Sequence, residues 1–314
     1  MMRFDRYQRA RSEEIASLIH QAFASSRTLF PLNLLRTPVP FSTIEELDET
    51  LREETIVSDA SFVAVDAERV VSAAIAASDG DGVGWWRIAT EKSYRRQGLA
   101  SECISRGEDE LAGMSAGKIG TSEVVDSRWT AAAGLFEALG YELRDPQERN
   151  ITMMAETWEP RRPQIAEGYE IDTLREDDID EWTDVRNAIF PGDWEPDWFV
   201  RHFSSRPDFD PEGWFLARRD GRIVGMTGGL VIEYRPNSER LRGGQIEYVG
   251  VLEEHRRARL GEALMTVCMN YLADRGGLPT MLLTQPFRVP AIRLYEKLGF
   301  TTLAAWHRWE KALP

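Results

Sequence analysis

Leu294-Tyr295-Glu296-Lys297-Leu298-Gly299-Phe300 closes a helical pattern near the end of the chain, and Leu135-Phe136-Glu137-Ala138-Leu139-Gly140-Tyr141 does the same 159 residues earlier. A basic loop precedes each phrase: His255-Arg256-Arg257-Ala258-Arg259-Leu260-Gly261 before the later one and Tyr94-Arg95-Arg96-Gln97-Gly98-Leu99-Ala100 before the earlier. The separations nearly agree, with Arg95 standing 41 residues before Phe136 and Arg256 39 residues before Tyr295. Two unlike phrases recurring in one order at one spacing mark a duplicated unit. The copies are not equivalent. The first has Gly98 where the second has Arg259, and the second has a hydroxyl on Tyr295 where the first has the bare ring of Phe136.

A chain of 314 residues holds two units of roughly 150 residues, each large enough for its own core. Charged residues make up 29% and hydrophobic ones 42%, the balance of a soluble globular protein. No stretch approaches the roughly 18 uninterrupted apolar residues of a membrane span, so no membrane partner is expected. Met1-Met2-Arg3-Phe4-Asp5-Arg6 has charge but no apolar run behind it, so no signal peptide is read there and the expected location is cytoplasmic. Cys103 and Cys268, one per half and both within helical patterns, read as buried thiols. His20, His202, His255 and His307 have no metal-ligand spacing, and no metal is expected. A net charge of −14 argues against wrapping nucleic acid and is compatible with a cationic acceptor such as an amine.

Both halves carry one order of elements, which predicts an α/β (α+β layer) fold built twice, each copy a mixed, mostly antiparallel sheet flanked by helices. In the first half, apolar residues Ile15, Leu18, Ile19 and Ala22 recur at helical spacing over 13–23. A Pro-containing loop over 30–40 leads to a helix from the N-cap Ser42 to Glu53, then to strands 61–65, 70–77 and 85–89. The basic loop opens a helix over 98–111; strand 119–125, helix 130–139 and a terminal strand pair complete the unit. Trp158-Glu159-Pro160-Arg161-Arg162-Pro163 breaks both periodicities and reads as the linker. The boundaries that follow are 1–156, linker 157–168, and 169–314. In the second half, Asp220-Gly221 between 214–217 and 222–232 signals a hairpin, 245–251 is the next strand, and Leu260, Leu264, Val267 and Tyr271 mark the long helix.

A loop that ends a strand and starts a helix offers unpaired N–H groups at the positive end of the helix dipole, a ready site for phosphate oxygens. On these residues the chain resembles the GCN5-related N-acetyltransferase (GNAT) family, whose acyl-CoA pyrophosphate loop reads Arg/Gln-x-x-Gly-x-Gly/Ala and whose later helix ends Tyr-Glu-x-x-Gly-Phe. The likeness covers nearly the whole chain, as two successive domains. It implies acetyl-CoA as co-substrate, held in the first copy by Arg95, Arg96, Gln97, Gly98, Leu99 and Ala100 and in the second by Arg256, Arg257, Ala258, Arg259, Leu260 and Gly261. If position 259 requires positive φ, a non-glycine there costs on the order of 1 kcal/mol, which a cationic contact to phosphate could offset. The family's asparagine after the fifth strand is replaced by Trp129 and Arg288. The tandem architecture and the segment Phe209-Asp210-Pro211-Glu212-Gly213-Trp214-Phe215-Leu216-Ala217 look similar to mycothiol synthases.

Acyl transfer to an amine needs a proton taken from the ammonium and one given to the leaving thiolate. The resemblance assigns the donor to Tyr295; the alternative is a core tyrosine. Glu247, on the strand before the loop, is the candidate base, acting through water, although alignment puts Gln245 at the family's commonest base position. Alternation along 245–251 places Gln245, Glu247, Val249 and Val251 on one face. The family polarises the thioester carbonyl with backbone amides at Val249 and Val251; their counterparts in the first half are Ile88 and Thr90. The first half has no carboxylate on that strand and no hydroxyl at 136, so catalysis is expected in the C-terminal half with a non-catalytic N-terminal partner. The acceptor is expected to be a small-molecule amine, chosen by the aromatic and acidic segment 190–199, and the protein a monomer or homodimer. Two rival readings are a non-catalytic acyl-CoA-binding regulator and catalysis in the N-terminal half.

Overall fold

The computed structural model describes residues 1–24, 44–52, 55–78, 83–114, 116–121, 125–126, 128–144, 150–205, 209–234 and 241–314. The loop expected over 30–40 and the N-cap Ser42 lie outside the described residues. The first half runs β1 Arg3–Arg6, α1 Ser12–Ala24, α2 Ile44–Arg52, β2 Phe62–Asp66, β3 Arg69–Ser78, β4 Val83–Thr90, α3 Leu99–Gly113, β5 Lys118–Thr121, β6 Val125–Asp126, α4 Thr130–Ala138, β7 Glu142–Leu143 and β8 Asn150–Ala155. The second runs β9 Glu170–Thr173, α5 Ile179–Ile189, α6 Pro196–Phe199, β10 Trp214–Arg219, β11 Arg222–Tyr234, β12 Leu241–Val251, α7 Leu260–Asp274, β13 Thr280–Thr284, α8 Val289–Lys297, β14 Thr301–His307 and β15 Trp309–Ala312.

Two mixed sheets result, of order β1-β2-β3-β4-β5-β15-β7 and β6-β14-β8-β13-β12-β11-β10-β9. The expectation that each half completes its own sheet with a terminal strand pair is corrected here. The last strand of each half crosses over: β8 lies between β13 and β14 in the second sheet, and β15 lies between β5 and β7 in the first. The alternation of a strand is the same whichever sheet receives it, so it carries no address. The short β6 also pairs with β14.

Turn chemistry sets the hairpins. Asp220 and Gly221 both have positive φ (49° and 75°) between paired Arg219 and Arg222, and Ala67 and Glu68 (46° and 66°) repeat that turn between Asp66 and Arg69. Apolar helix faces then cover the sheets. α7 buries Leu260, Leu264, Met265, Cys268 and Leu272 against Ile246 and Leu282, and α3 buries Leu99, Cys103 and Ile104 against Ala74 and Trp86. On the opposite face of the second sheet, Trp182, Phe199, Phe203 and Trp214 pack beneath α5 and α6. Burial pushes both cysteine thiols up to about 12, as inert core groups. The segment read as the linker lies along α7: Trp158 donates to Asn270 Oδ1 (2.9 Å), and the Asn270 amide donates to Arg161 O (2.8 Å).

Candidate active site

The two strands that carry the duplicated site differ in one residue of register. β3 and β4 pair without a shift from Ser72↔Thr90 to Ser78↔Gly84. β11 and β12 pair as Gly225↔Val251 and Met226↔Gly250, then as Gly228↔Glu247, so an extra residue stands opposite Thr227. That residue is Tyr248, with φ 51°. Left-handed backbone is costly for a bulky side chain, and here the ring compensates by entering an aromatic cluster. It meets Trp182 (5.5 Å), Phe190 (5.7 Å), Trp194 (5.8 Å) and Phe203 (5.9 Å) edge-on.

The bulge inverts the strand's faces, which corrects the expectation of a single face for 245–251. Gln245 and Glu247 point to the α5 side, where the Gln245 amide donates to Glu247 Oε1. Val249 and Val251 pack instead with the α7-side core. The bulge also lies where β12 leaves β13, since their parallel pairing covers only Gly244 to Ile246 against Thr280 to Leu282. Beyond it the Leu252 amide donates to Val224 O (2.9 Å), so the neighbouring Val251 N–H turns the other way, toward the side β13 has vacated.

Where the strands part there is a cavity of about 280 Å³ whose lining includes Glu247, Val249, Thr284, Gln285, Arg288 and Tyr295 from the sheet and α8, with Arg186, Phe190 and Trp194 opposite. Tyr295 and Glu247, far apart in sequence, thus share one chamber. Tyr295 is 5% exposed, and its hydroxyl makes no hydrogen bond among the described residues. Burial pushes the phenol up to about 12, with the Arg288 guanidinium pulling the other way, so the group keeps its proton at neutral pH. Burial also pushes Glu247 up to about 7, with the Gln245 hydrogen bond opposing, which is the range of a working proton acceptor.

The basic loops repeat one backbone. Arg96 and Gly98 have φ of 63° and 78°, and Arg257 and Arg259 have 69° and 58°. Position 259 does require positive φ, and the non-glycine there is held by its side chain: Arg259 bonds Glu262 Oε2 (3.1 Å) and Gln164 Oε1 (2.9 Å). Arg95 donates from Nε to Thr90 O (3.1 Å), and Arg256 makes the matching bond to Val251 O (3.2 Å). Arg95, Arg96, Arg256 and Arg257 are exposed and have no acidic partner among the described residues. In each copy four features fit a diphosphate: two arginines without acids, two left-handed residues, a helix N-terminus, and a leucine (Leu99 or Leu260) anchoring the first turn. Gln97, Ala100, Ala258 and Gly261 fill the same stretches, where Gly261 lets Leu294 of α8 approach to 3.4 Å of where a Cβ would stand.

At the hydroxyl-less position of the first copy the ring is packed into the core. Phe136 is buried against Tyr141 (5.2 Å, edge-on) and stacks on Trp309 (6.5 Å) from the exchanged β15, while Trp86 on β4 donates to the Tyr141 hydroxyl (2.6 Å). Ile88 and Thr90 lie on the unbulged β4, beside this filled core. Of the segment 190–199, the aromatic Phe190 and Trp194 line the cavity and the acids face solvent. Asp193, Glu195 and Asp197 are exposed, Asp197 pairing with Arg201, and the charges that do reach the cavity from outside β12 are guanidinium groups. Arg186, Arg288 and Tyr248 carry much of this geometry; spacing had marked only Arg288, as the replacement for an asparagine.

The family model for the acetyltransferase (GNAT) family matches residues 28–141 and 179–300. A mycothiol acetyltransferase from Pseudarthrobacter chlorophenolicus is 30% identical over 247 residues, covering 76% of this chain and 71% of that protein. Among solved structures, a GCN5-related N-acetyltransferase from Sphaerobacter thermophilus superposes with a TM-score of 0.67 at 18% identity, over 99% of this chain and 96% of that one. A tandem GNAT protein from the clavulanic acid biosynthesis pathway does so with 0.67 at 16% identity, over 100% and 99%. With both halves matched and the tandem fold shared end to end, the chain belongs to the acetyltransferase (GNAT) family and is an acyltransferase of two fused copies.

Proposed function

We propose that the protein transfers an acetyl group from acetyl-CoA to the primary amine of a small molecule, with the chemistry in the C-terminal half, 169–314. The observation that carries this reading is the single cavity at the Tyr248 bulge, lined by both Glu247 and Tyr295. The N-terminal half, 1–156, acts as a non-catalytic partner whose loop at 95–100 keeps the features of a CoA diphosphate site. The similarity to mycothiol acetyltransferases supports a small amine acceptor of that general kind.

Acetyl-CoA supplies the activated acyl group when bound. Arg256, Arg257 and the first turn of α7 hold phosphate, and the Val251 amide faces the carbonyl. Glu247 takes the ammonium proton through a water, and Tyr295 Oη holds the proton offered to the departing sulfur. Such proton transfers are worth about 10²–10⁴-fold each. Tyr295→Phe is expected to lower kcat at least a hundredfold with little change in the acetyl-CoA KM, measured as thiol release. Undiminished turnover in that variant rejects the assignment. Gly98→Glu is expected to leave turnover in place and Arg256→Glu to raise the acetyl-CoA KM; the reverse pattern moves catalysis to the N-terminal half.

A further inference from the structure

Within the cavity the charges do not balance. Arg186 is 4% exposed, and its guanidinium is spent on the chain itself, donating to Pro191 O (2.6 Å), Gly192 O (3.0 Å) and Asn187 Oδ1 (2.9 Å) while stacking on Trp194 at 3.5 Å. Carbonyls and an amide satisfy its donors without cancelling its charge. Arg288 is different. It caps α8, its guanidinium carbon lies 5.6 Å from the ring centres of both Phe190 and Phe287, and its Nε is buried with no hydrogen-bond partner. No carboxylate pairs with either arginine among the described residues, and Glu247 is committed to Gln245. This partly exposed guanidinium, near two aromatic rings and with its buried Nε unspent, has donors left for an anionic partner, and a charge-assisted pair there is stronger than a neutral one.

Resting on the reading of this cavity as the acceptor site, we propose that the acceptor is an amine that also carries an oxyanion, carboxylate or phosphate, which pairs with Arg288 while its amine lies toward Glu247 and Tyr295. Arg186 takes no direct part: it positions the 190–194 turn and keeps the local field positive. The acceptor class is therefore zwitterionic, an amino acid or amino-phosphate, and not a plain cationic polyamine, which two unneutralised guanidinium groups would repel.

The test uses the full chain and amines matched except for the anion: β-alanine against β-alaninamide, and phosphoethanolamine against ethanolamine. Thiol release from acetyl-CoA is expected to favour the anionic member of at least one pair by tenfold or more in kcat/KM, the pair naming the oxyanion. In Arg288→Gln that ratio is expected to fall to near one through the acceptor KM, with the acetyl-CoA KM unchanged. Equal use of both members, a preference that survives Arg288→Gln, or an effect confined to the acetyl-CoA KM overturns the proposal. Calorimetric titration of the same four amines, with CoA present, separates this from the transferase reading. If nothing is acetylated but the anionic members bind and Arg288→Gln weakens them tenfold, the acceptor class stands and the chemistry falls. If no anionic member binds better than its neutral partner, the acceptor class falls.

Discussion

Glu247, the base proposed above, would couple function to stability. Its carboxyl titrates near 7 in the fold against about 4.5 when unfolded, so the native state holds an extra proton between those limits. Stability is then full below about pH 4.5 and declines as pH rises toward 7, because ionisation must occur in a desolvated chamber. Glu247→Gln is expected to be more stable than the parent at pH 8 by about 1–3 kcal/mol, and no more stable at pH 4.5, in paired denaturant titrations. The activity profile runs the other way. The parent's kcat/KM is expected to rise through pH 7 as the carboxylate forms, and a variant retaining that rising limb without Glu247 would assign the proton to another group.

At the scale of single elements, the loop at the start of α7 offers a substitution with a signed expectation. Arg259 has φ 58°, which costs a non-glycine residue on the order of 1 kcal/mol, while the bonds of its exposed side chain to Glu262 and Gln164 return less. Arg259→Gly is expected to raise the midpoint of thermal unfolding by a few degrees by calorimetry. These loops, the hairpin at Asp220-Gly221 and the two long helices were legible in the sequence because each depends on local signals: glycine, turn dipeptides and a 3.6-residue period. The bulge at Tyr248 was not legible. Nothing in Gln245-Ile246-Glu247-Tyr248-Val249 breaks the period-two pattern, and the extra residue is bought by tertiary contacts with Trp182, Phe190 and Trp194 that lie tens of residues away. Tyr295 could be named from the motif and Glu247 from its strand, and spacing marked Arg288 only as an asparagine's replacement, whereas Arg186 became visible only with the turn at 190–194 in place.

For the whole molecule, the exchanged strands make the halves interdependent. Lys311 of β15 pairs with Glu108 of α3 (2.6 Å), Trp309 covers Phe136, and in the other direction Trp306 of β14 donates to Thr152 of β8 (2.7 Å). Residues 1–156 and 157–314 made separately each lack a central strand of one sheet and present one with no sheet to join, a surface prone to aggregation. Each is expected to be insoluble alone and, when co-expressed, to form a one-to-one complex by gel filtration that recovers thiol-releasing activity. Soluble, folded halves would show the exchange to be dispensable. Asn150, at the start of β8, accepts from Gln285 Nε2 (2.8 Å), and Gln285 lines the cavity. The first copy thus furnishes part of the wall behind the second copy's cavity. Once that strand had crossed, neither copy could be discarded without opening the other's sheet.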